Sequence, residues 1–486
     1  MAGQNALRAW PVERRDALPL ALWSAGEIAE ATGGTASHEF QISGVEMDSR
    51  DVRGGDLFVA LKGEAMDGHN FIAKAFANGA VAALVDRPVD FPHVLVEDTT
   101  VALHALAHAA RERAEAVRIG VTGSVGKTGV KEAIFAALDR SSRGSAHRSV
   151  RSYNNHVGVP LSLSRMPARS RFGIFEMGMN HAGEIEVLTQ HVRPHVAVIT
   201  TIAPAHIEML GSMEAIADAK GEIFGGLIEG GTAVIPADSE YCERLVGIAK
   251  ASGAKVVTFG ASPEADVRLL DAIPSANGGS LVTADLGDTR LCYSVAEPGE
   301  HWIANSLAVM AAVRAAGGDL GSAGLALAEM GGLKGRGARH QIAASGGGKA
   351  LLIDESYNAN PASMRATLRQ LGHTPATRRI AVLGSMKELG DFADRFHAAL
   401  AGPIGEAKVD HAILVGEEMR SLARELGKGS AGSLGIPLGF AHCDTPAEAI
   451  AALEELGINA GDAILVKGSN SIGLGTLVEH LSSRDG

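Results

Sequence analysis

Short apolar runs recur along the chain, and most are followed by a stretch in which apolar residues return with helical spacing. Such runs are typical of buried strands, and their alternation with helices is typical of βαβ units. The pattern therefore predicts an α/β protein. The predicted strands are residues 57–61, 82–85, 116–119, 172–175, 196–201, 233–236, 255–259, 266–270, 351–353, 379–383, 411–415 and 463–466. The clearest predicted helices are residues 22–32, 67–80, 103–115, 130–138, 212–227 and 297–316.

One glycine-rich turn separates the predicted strand 116–119 from the predicted helix 130–138. It reads Thr122-Gly123-Ser124-Val125-Gly126-Lys127-Thr128. In such a turn, backbone N–H groups can reach phosphate oxygens, a lysine can neutralise the β/γ-phosphates, and a threonine hydroxyl can bind Mg²⁺. Val121 stands where the common Walker A spacing has its first glycine, so an ordinary tight turn is the alternative. Gly-Lys-Thr in this context favours nucleotide binding.

The length of 486 residues favours about three domains, at roughly 150 residues each. We expect a small N-terminal α/β domain (1–113), a central ATP-binding domain with a mostly parallel sheet of the P-loop type (114–333), and a C-terminal Rossmann-like, doubly wound domain (334–486). The run from Gly331 to Arg339 is interpreted as a hinge whose arginines reach a bound phosphate, with a plain linker as the alternative.

Charge and cysteine content narrow the function classes. The net charge of 44 − 56 = −12 disfavours a general nucleic-acid binder, although a local basic groove could hold an anionic ligand. Cys242, Cys292 and Cys443 are widely spaced, which favours neither a disulfide framework nor a zinc site and fits a reducing cytoplasm. Residues 1–15 contain no apolar signal core, and no run approaches the ~20 apolar residues of a membrane span. We expect an intracellular protein.

Polar residues directly after two predicted strands are candidates for metal and phosphate chemistry. Glu176 follows the run 172–175, and His206 follows the run 196–201. Because the carboxyl ends of parallel strands meet at the ligand crevice, both side chains suit a Mg²⁺ site. The alternatives are a glutamate at the sheet edge and a structural histidine. The Asn154-Asn155 pair suits phosphate or metal-bound water, or simply a turn.

Other candidates are ambiguous from pattern alone. Ser49 and Arg50 could grip a phosphate, but a turn with a solvated arginine is favoured. Lys220 has the pattern of a solvated helix lysine. Asn305 suits an adenine edge or a satisfied buried amide. In the last segment, Asp354-Glu355-Ser356-Tyr357 follows a strand, and acidic residues there suit a ribose diol.

Taken together, these motifs resemble those of the Mur ligases, the ATP-dependent amide ligases of peptidoglycan synthesis, over nearly the whole chain. The motifs that carry the resemblance are Asp48-Ser49-Arg50, Leu57 to Glu64 with Asp67-Gly68-His69, Thr122 to Thr128, Tyr153-Asn154-Asn155, Glu176-Met177-Gly178, Ala203-Pro204-Ala205-His206, Ala219 to Ile223, and Asp354 to Pro361. The last of these favours the member that joins D-alanyl-D-alanine to UDP-N-acetylmuramoyl-tripeptide. Ser385 and Asn470 depart from the family pattern, where aspartate and arginine are common.

The resemblance implies roles for these residues. Lys127 and the turn would hold the triphosphate of ATP, with Asn155 as a further ATP contact. Thr128 and Glu176 would bind one Mg²⁺, and His206 would ligate a second together with Lys220, carboxylated at its Nζ. This replaces the solvated interpretation of Lys220. The other implied contacts are His301 and Asn305 with adenine, Arg336 with the phosphates, Asp354, Glu355 and Tyr357 with the nucleoside, and Ser49 and Arg50 with the uridine nucleotide.

The resemblance also implies a bacterial cytoplasmic enzyme, expected to be a monomer. A tripeptide-forming Mur ligase and a folylpolyglutamate synthetase are the nearest alternatives, and the first segment argues against the second. A nucleotide-dependent regulatory or motor protein is the alternative from another class.

Overall fold

The computed structural model describes residues 21–63, 66–204, 207–275, 279–428 and 439–483. The chain divides into two units, Met1–Glu112 and Arg113–Gly486. Among the described residues, none of the helices combines the length and the apolar character that crossing a bilayer requires.

The first unit contains a five-stranded sheet in the order β2-β7-β6-β5-β4 and a separate antiparallel pair, β1 and β3. In the larger sheet only the β2–β7 pairing is antiparallel. Its elements are β1 (Trp23–Ser24), α1 (Ala25–Thr32), β2 (Thr35–Ala36), β3 (Gln41–Ile42), β4 (Gly44–Glu46), β5 (Asp56–Val59), a 3₁₀ helix (Gly68–Phe71), α2 (Ile72–Ala77), β6 (Ala82–Val85), β7 (His93–Leu95) and α3 (Thr99–Arg113).

Local capping explains where the first helices begin. The Ser24 hydroxyl accepts a hydrogen bond from the Glu27 N–H, and the Glu27 carboxylate accepts one from the Ser24 N–H. This capping box starts α1 three residues after the predicted start at Leu22, and Gly33 ends the helix in the left-handed conformation. The predicted helix 67–80 instead opens as a 3₁₀ turn, capped by the Asp67 carboxylate, before α2.

The central sheet has nine strands in the order β16-β15-β14-β13-β12-β11-β8-β10-β9. Its elements are β8 (Val117–Thr122), α4 (Lys127–Ser142), β9 (Ala146–Arg148), α5 (Gly158–Ser164), β10 (Phe172–Glu176), α6 (Glu184–Val192), β11 (Val196–Ile199), α7 (Ile207–Leu210), α8 (Met213–Gly221), a 3₁₀ helix (Glu222–Gly226), β12 (Thr232–Pro236), α9 (Cys242–Ala251), β13 (Lys255–Gly260), β14 (Val267–Pro274), β15 (Ser280–Asp285), β16 (Arg290–Val295), α10 (Glu300–Ala315) and α11 (Leu320–Glu329).

The central sheet is mostly parallel, as predicted. Every pairing from β9 to β14 is parallel, and only β14–β15 and β15–β16 are antiparallel. The parallel strands β8, β10 and β11 are almost fully buried because helices cover them, which explains why they read as continuous apolar runs. On one face, α4, α10 and α11 pack in a single apolar core with Ile119, Val198 and Val234.

The third sheet has six strands in the order β17-β18-β22-β19-β20-β21. All its pairings are parallel except β17–β18. Its elements are β17 (Ala338–Ala343), β18 (Lys349–Glu355), α12 (Pro361–His373), β19 (Arg378–Gly384), a 3₁₀ helix (Gly390–Phe392), α13 (Ala393–Ala398), α14 (Ala401–Glu406), β20 (His411–Val415), a 3₁₀ helix (Glu417–Met419), α15 (Arg420–Gly427), β21 (Gly439–Cys443), α16 (Pro446–Leu456), β22 (Asp462–Lys467), a 3₁₀ helix (Asn470–Ile472) and α17 (Gly475–Ser482).

Two separate apolar cores lie on opposite faces of this third sheet. Met364 of α12 and Ile404 of α14 pack on one face, while Leu453 of α16 and Leu477 of α17 pack on the other. Neighbouring residues of one strand, such as Ala412 and Ile413 in β20, point into different cores, as the period of two requires. The sheet is therefore covered by helices on both sides, which is the doubly wound arrangement predicted from the sequence.

Helix α12 depends on a cap that lies within the predicted nucleoside motif. The Asn360 Oδ1 accepts a hydrogen bond from the Ser363 N–H at 2.9 Å, and Ser363 Oγ accepts one from the Asn360 N–H at 3.0 Å.

Asn360→Ala removes the acceptor at the first turn of α12, so we expect a loss of about 1 kcal/mol in the free energy of unfolding of the third domain. Urea unfolding measures this loss. The matched variant Asn360→Asp keeps the acceptor, and an equal loss in both variants would contradict the capping role.

Candidate active site

A cavity of about 530 Å³ lies where the carboxyl ends of central strands face the third sheet within the second unit. Residues from the glycine-rich turn, the strand ends, α10 and the third sheet share its walls. The predicted site residues among them are Ser124, Val125, Gly126, Lys127, Glu176, Lys220, His301, Asn305, Arg336, Glu355 and Tyr357. The fold therefore collects at one place most of the candidates that are scattered along the sequence.

The glycine-rich turn between β8 and α4 has the form of a phosphate cradle. Gly123 and Gly126 adopt φ values of +147° and +88°, and a Cβ at Gly123 would lie 1.9 Å from Thr200 Oγ1. In the described chain, no backbone carbonyl accepts a hydrogen bond from the N–H groups of Val125, Gly126 or Lys127. These donors stand at the N-terminus of α4, where an anion is stabilised. The turn thus fits a phosphate group.

Lys127 lies inside the cradle. Its Nζ donates a hydrogen bond to the Gly123 carbonyl at 2.7 Å. Burial lowers the pKa of Lys127, and the nearby Glu176 carboxylate partly opposes that shift. A buried ammonium gains free energy when a negative group arrives, so Lys127 suits a bound phosphate.

Glu176 is the centre of an oxygen-rich cluster at the end of β10. Its carboxylate is fully buried and accepts hydrogen bonds from Thr128 Oγ1 and Asn154 Nδ2, both at 2.8 Å. Ser152 Oγ lies 3.4 Å from Thr128 Oγ1. A carboxylate and hydroxyls are the ligand types that Mg²⁺ prefers. Glu176 and Thr128 therefore fit a magnesium site next to the cradle.

Lys220, in the last turn of α8, is only 2% exposed and lines the cavity. Among the described residues, none accepts a hydrogen bond from its ammonium. Burial lowers the pKa of Lys220 well below its usual range, and the positive charge of Lys127 lowers it further. The side chain is thus not the solvated helix lysine that its sequence pattern favoured, because α8 turns this position inward.

The adenine candidates lie on α10. Burial lowers the pKa of His301, which favours the neutral imidazole beside an uncharged base. The Asn305 amide approaches the cradle, since a Cβ at Gly126 would lie 2.9 Å from its Oδ1. Trp302 packs on Gly129 of α4, where a Cβ would lie 2.8 Å from the indole.

The third sheet contributes charged groups to the opposite wall. The Arg336 guanidinium lies 4.5 Å from the centre of the Tyr357 ring and donates a hydrogen bond to Ser152 Oγ at 3.2 Å. Glu355 accepts a hydrogen bond from the buried Lys467 ammonium at 3.2 Å. Arg336 thus connects the segment before β17 with the loop beside the magnesium candidates, as expected for a residue that reaches across a cleft.

Among the described candidates of the second unit, five do not line the cavity: Thr122, Gly123, Thr128, Asn155 and Asp354. Asn155 is exposed, and its Oδ1 accepts a hydrogen bond at 2.8 Å from the N–H of Gly158, the first residue of α5. The buried Asp354 carboxylate accepts hydrogen bonds from the Gly335 N–H at 2.7 Å and from Ser356. In this structure Asp354 holds the chain segment that carries Arg336. His206 lies outside the described residues.

The two uridine-nucleotide candidates belong to the first unit. The exposed Arg50 guanidinium forms an ion pair with Asp48 at 2.6 Å. Ser49 is buried, and its carbonyl accepts a hydrogen bond from Asn78 Nδ2 at 2.7 Å. This geometry matches the turn that the sequence pattern favoured, with a guanidinium held at the surface.

Sequence reasoning missed some residues of the site. Lys387 and Glu388 line the cavity, and Glu388 adopts a left-handed backbone with φ +64°. Lys131, fully buried, lies 4.0 Å from the Glu176 carboxylate. A signal for Lys131 existed, because it follows Lys127 by four residues and so shares its face of α4. Lys387 and Glu388 stand in the same motif as Ser385, residues 383–390, but the sequence pattern assigned them no role.

The cradle can be tested with Gly123→Ala. Because the new Cβ would collide with Thr200 Oγ1 and the φ of +147° disfavours alanine, we expect ATP to bind about tenfold more weakly or worse. Calorimetric titration with ATP measures this. Gly247→Ala, where a Cβ meets nothing within 4 Å, is the control. Unchanged ATP affinity in Gly123→Ala would contradict the assignment of the cradle.

Comparison with known proteins supports this description of the fold. Residues 41–122, 121–313 and 338–470 match, respectively, the Mur ligase family catalytic domain, the Mur ligase middle domain and the Mur ligase, glutamate ligase domain. The chain is 35% identical over 460 residues to UDP-N-acetylmuramoyl-tripeptide–D-alanyl-D-alanine ligase of Synechocystis, covering 92% of this chain and 93% of that protein. The corresponding Escherichia coli ligase is 34% identical, covering 80% and 85%.

Solved structures agree with the sequence matches. A crystal structure of MurF from Acinetobacter baumannii superposes with a TM-score of 0.80 at 31% identity, covering 96% of this chain and all of that one. MurF of Thermotoga maritima in complex with ADP gives 0.72 at 25% identity, covering 91% and 97%. The three-domain α/β architecture predicted from the sequence is confirmed, while the boundaries after residues 113 and 333 stay a prediction. The chain belongs to the Mur ligase family and is similar within it to the MurF ligases.

Proposed function

We propose that this protein is an ATP-dependent amide ligase that joins D-alanyl-D-alanine to UDP-N-acetylmuramoyl-tripeptide. The products are UDP-N-acetylmuramoyl-pentapeptide, ADP and phosphate. The relatives in Synechocystis and Escherichia coli carry this activity in their names, and a similar structure is a MurF with ADP. The observation that carries the proposal is one cavity shared by a phosphate cradle, a buried oxygen cluster and side chains of a second sheet. We place the reaction in the bacterial cytoplasm.

The residues fit a magnesium ion held jointly with phosphate oxygens. Glu176 and Thr128 supply oxygen ligands beside the cradle. Among the described residues there is no group of three or more His, Cys, Asp or Glu that could enclose a metal. Proteins usually hold Mg²⁺ with only one or two oxygen ligands of their own, together with substrate phosphates and water. When bound, the ion supplies positive charge that stabilises the transferring phosphoryl group.

The proposed reaction requires activation of the substrate carboxylate, which belongs to UDP-N-acetylmuramoyl-tripeptide. A carboxylate oxygen is a poor leaving group, so an amine does not displace it at neutral pH. Transfer of the terminal phosphoryl group of ATP to that oxygen gives an acyl phosphate and ADP. Lys127 and the cradle N–H groups offset the charge of the two anions that approach each other. The amine of D-alanyl-D-alanine then attacks the acyl carbon, and phosphate leaves.

The third domain completes the proposed site. Arg336, Glu355 and Tyr357 line the cavity. In the proposal, Arg336 contacts the phosphates, and Glu355 and Tyr357 contact the nucleoside. His301 and Asn305 receive the base on α10. Because these groups come from segments on both sides of the cavity, bound nucleotide is shielded from water, which protects an acyl phosphate from hydrolysis. Ser49 and Arg50 are proposed to contact the uridine nucleotide.

Lys220 is proposed to be carboxylated on its Nζ. The reaction needs a neutral amine to attack CO₂ and release a proton. The lowered pKa of Lys220 supplies that neutral amine. The resulting carbamate would convert a buried amine next to Lys127 into an anion paired with a cation. Together with His206 it would hold a second Mg²⁺.

A substrate panel tests the proposed function. We expect phosphate release and a pentapeptide product only when ATP, UDP-N-acetylmuramoyl-tripeptide and D-alanyl-D-alanine are all present. Phosphate release and the mass of the product measure this outcome. Lys127→Ala should lower the rate by about 10³-fold or more because it removes charge compensation at the phosphoryl group. Product formation from UDP-N-acetylmuramoyl-dipeptide and a single amino acid would instead support a tripeptide-forming ligase.

The carbamate has its own test. Lys220→Ala should be inactive and should regain part of its rate with short carboxylates such as acetate, because these supply the missing anion. Ligation rates against carboxylate concentration measure the rescue. Lys250→Ala, at an exposed position of α9, should have the same ligation rate as the wild-type enzyme, with and without acetate. Full activity of Lys220→Ala without any added carboxylate would remove the carbamate from the mechanism.

A further inference from the structure

Helix α4 carries a second lysine, Lys131, one turn after Lys127, and its side chain has no exposed surface. Its Nζ donates hydrogen bonds to the Arg151 carbonyl at 2.7 Å and the Ser149 carbonyl at 3.3 Å. It also lies 3.0 Å from Glu132 Oε1. A buried ammonium is costly unless it is paired, and here two carbonyls and a carboxylate oxygen lie within 3.3 Å of it. Lys131 is not among the residues that line the cavity, so its place needs another explanation.

The two carbonyls belong to the loop between β9 and α5. Arg151 in this loop adopts a left-handed conformation with φ +52°, which is strained for a residue with a side chain. The hydrogen bond from Lys131 holds this peptide in place. The next residue, Ser152, accepts the hydrogen bond from Arg336, and Asn154 donates to Glu176. The loop that Lys131 fixes thus carries two direct neighbours of the proposed magnesium and phosphate sites.

Lys131 also acts on Glu176 more closely. The Lys131 Nζ lies 4.0 Å from Glu176 Oε2 and supplies positive charge beside a carboxylate that is almost fully enclosed. Ser149 accepts from Lys131 through its carbonyl and from the Glu176 N–H through its Oγ, the latter at 3.1 Å. Lys131 is therefore linked to Glu176 twice: its charge acts on the carboxylate, and Ser149 connects it to the Glu176 backbone N–H.

We propose that Lys131 is a positioning residue that fixes Glu176 and the loop 149–154, and thereby sets the affinity of the nucleotide site for Mg²⁺. It contacts neither the metal nor ATP. The inference rests on the proposed function only in that the site binds ATP with Mg²⁺. Partners that orient a ligand typically change metal affinity by about 10–100-fold when they are removed.

The test compares Lys131→Met with the matched control Lys250→Met at an exposed lysine. A non-hydrolysable ATP analogue is titrated by calorimetry with and without Mg²⁺. We expect Lys131→Met to lose about tenfold or more of the gain in affinity that Mg²⁺ gives, while binding of the metal-free analogue is unchanged. Lys250→Met should keep the full gain. Amide hydrogen exchange over residues 146–156 should become faster in Lys131→Met alone.

The outcomes separate positioning from a purely structural role. A folded Lys131→Met protein that keeps the full Mg²⁺-dependent gain overturns the proposal, even if its loop exchanges faster. If Lys131→Met does not fold, Lys131→Arg and Lys131→Gln replace it: retention of the gain in the arginine variant and its loss in the glutamine variant support the proposal, and retention in both overturns it. The titration contains no acceptor substrate, so its result does not depend on ligation. Failure of ligation in a separate assay would contradict the proposed function and would leave the titration result intact.

Discussion

The fully buried carboxylate of Glu176 is the constraint on which the site depends. A buried carboxylate must be satisfied, and Thr128, Asn154 and the nearby Lys131 do so from two different segments. This requirement aligns the first turn of α4, the end of β10 and the loop before α5. The same alignment leaves the cradle N–H groups facing the cavity. The arrangement that satisfies the Glu176 charge is thus also the one that forms the proposed phosphate site.

The sequence predicted the parallel strands well because burial on both faces makes them continuous apolar runs. Strands β6 and β20 have the predicted ends, and β8, β10 and β22 differ by one to three residues. The antiparallel extension β14–β16 was largely missed, since its exposed face breaks the apolar run with polar residues. Helix starts such as that of α1 were misplaced because a cap, rather than the apolar pattern, decides them.

The site could be predicted from the sequence where residues suited to phosphate or metal binding directly follow a predicted strand. Glu176 and the cradle follow from this rule, since both stand at the carboxyl ends of neighbouring parallel strands. The pattern of α8 gave the wrong environment for Lys220, because the apolar residues of this short helix are mostly alanines and do not reveal which face is buried. The sequence also could not predict how adjacent side chains are oriented: Asn154 donates a hydrogen bond to Glu176, while Asn155 accepts one from Gly158 at the start of α5.

The packing of Trp302 on Gly129 has a practical consequence. The sequence contains only three tryptophans, and Trp302 lies in the wall of the nucleotide cavity, in contact with the helix that begins at the cradle. Trp23 belongs to the first unit. An indole in this wall would change its emission if nucleotide filled the proposed site, so the unlabelled protein would carry an intrinsic optical reporter of nucleotide occupancy. Rapid-mixing fluorescence can then follow the entry of ATP in real time, without a dye attached to the enzyme.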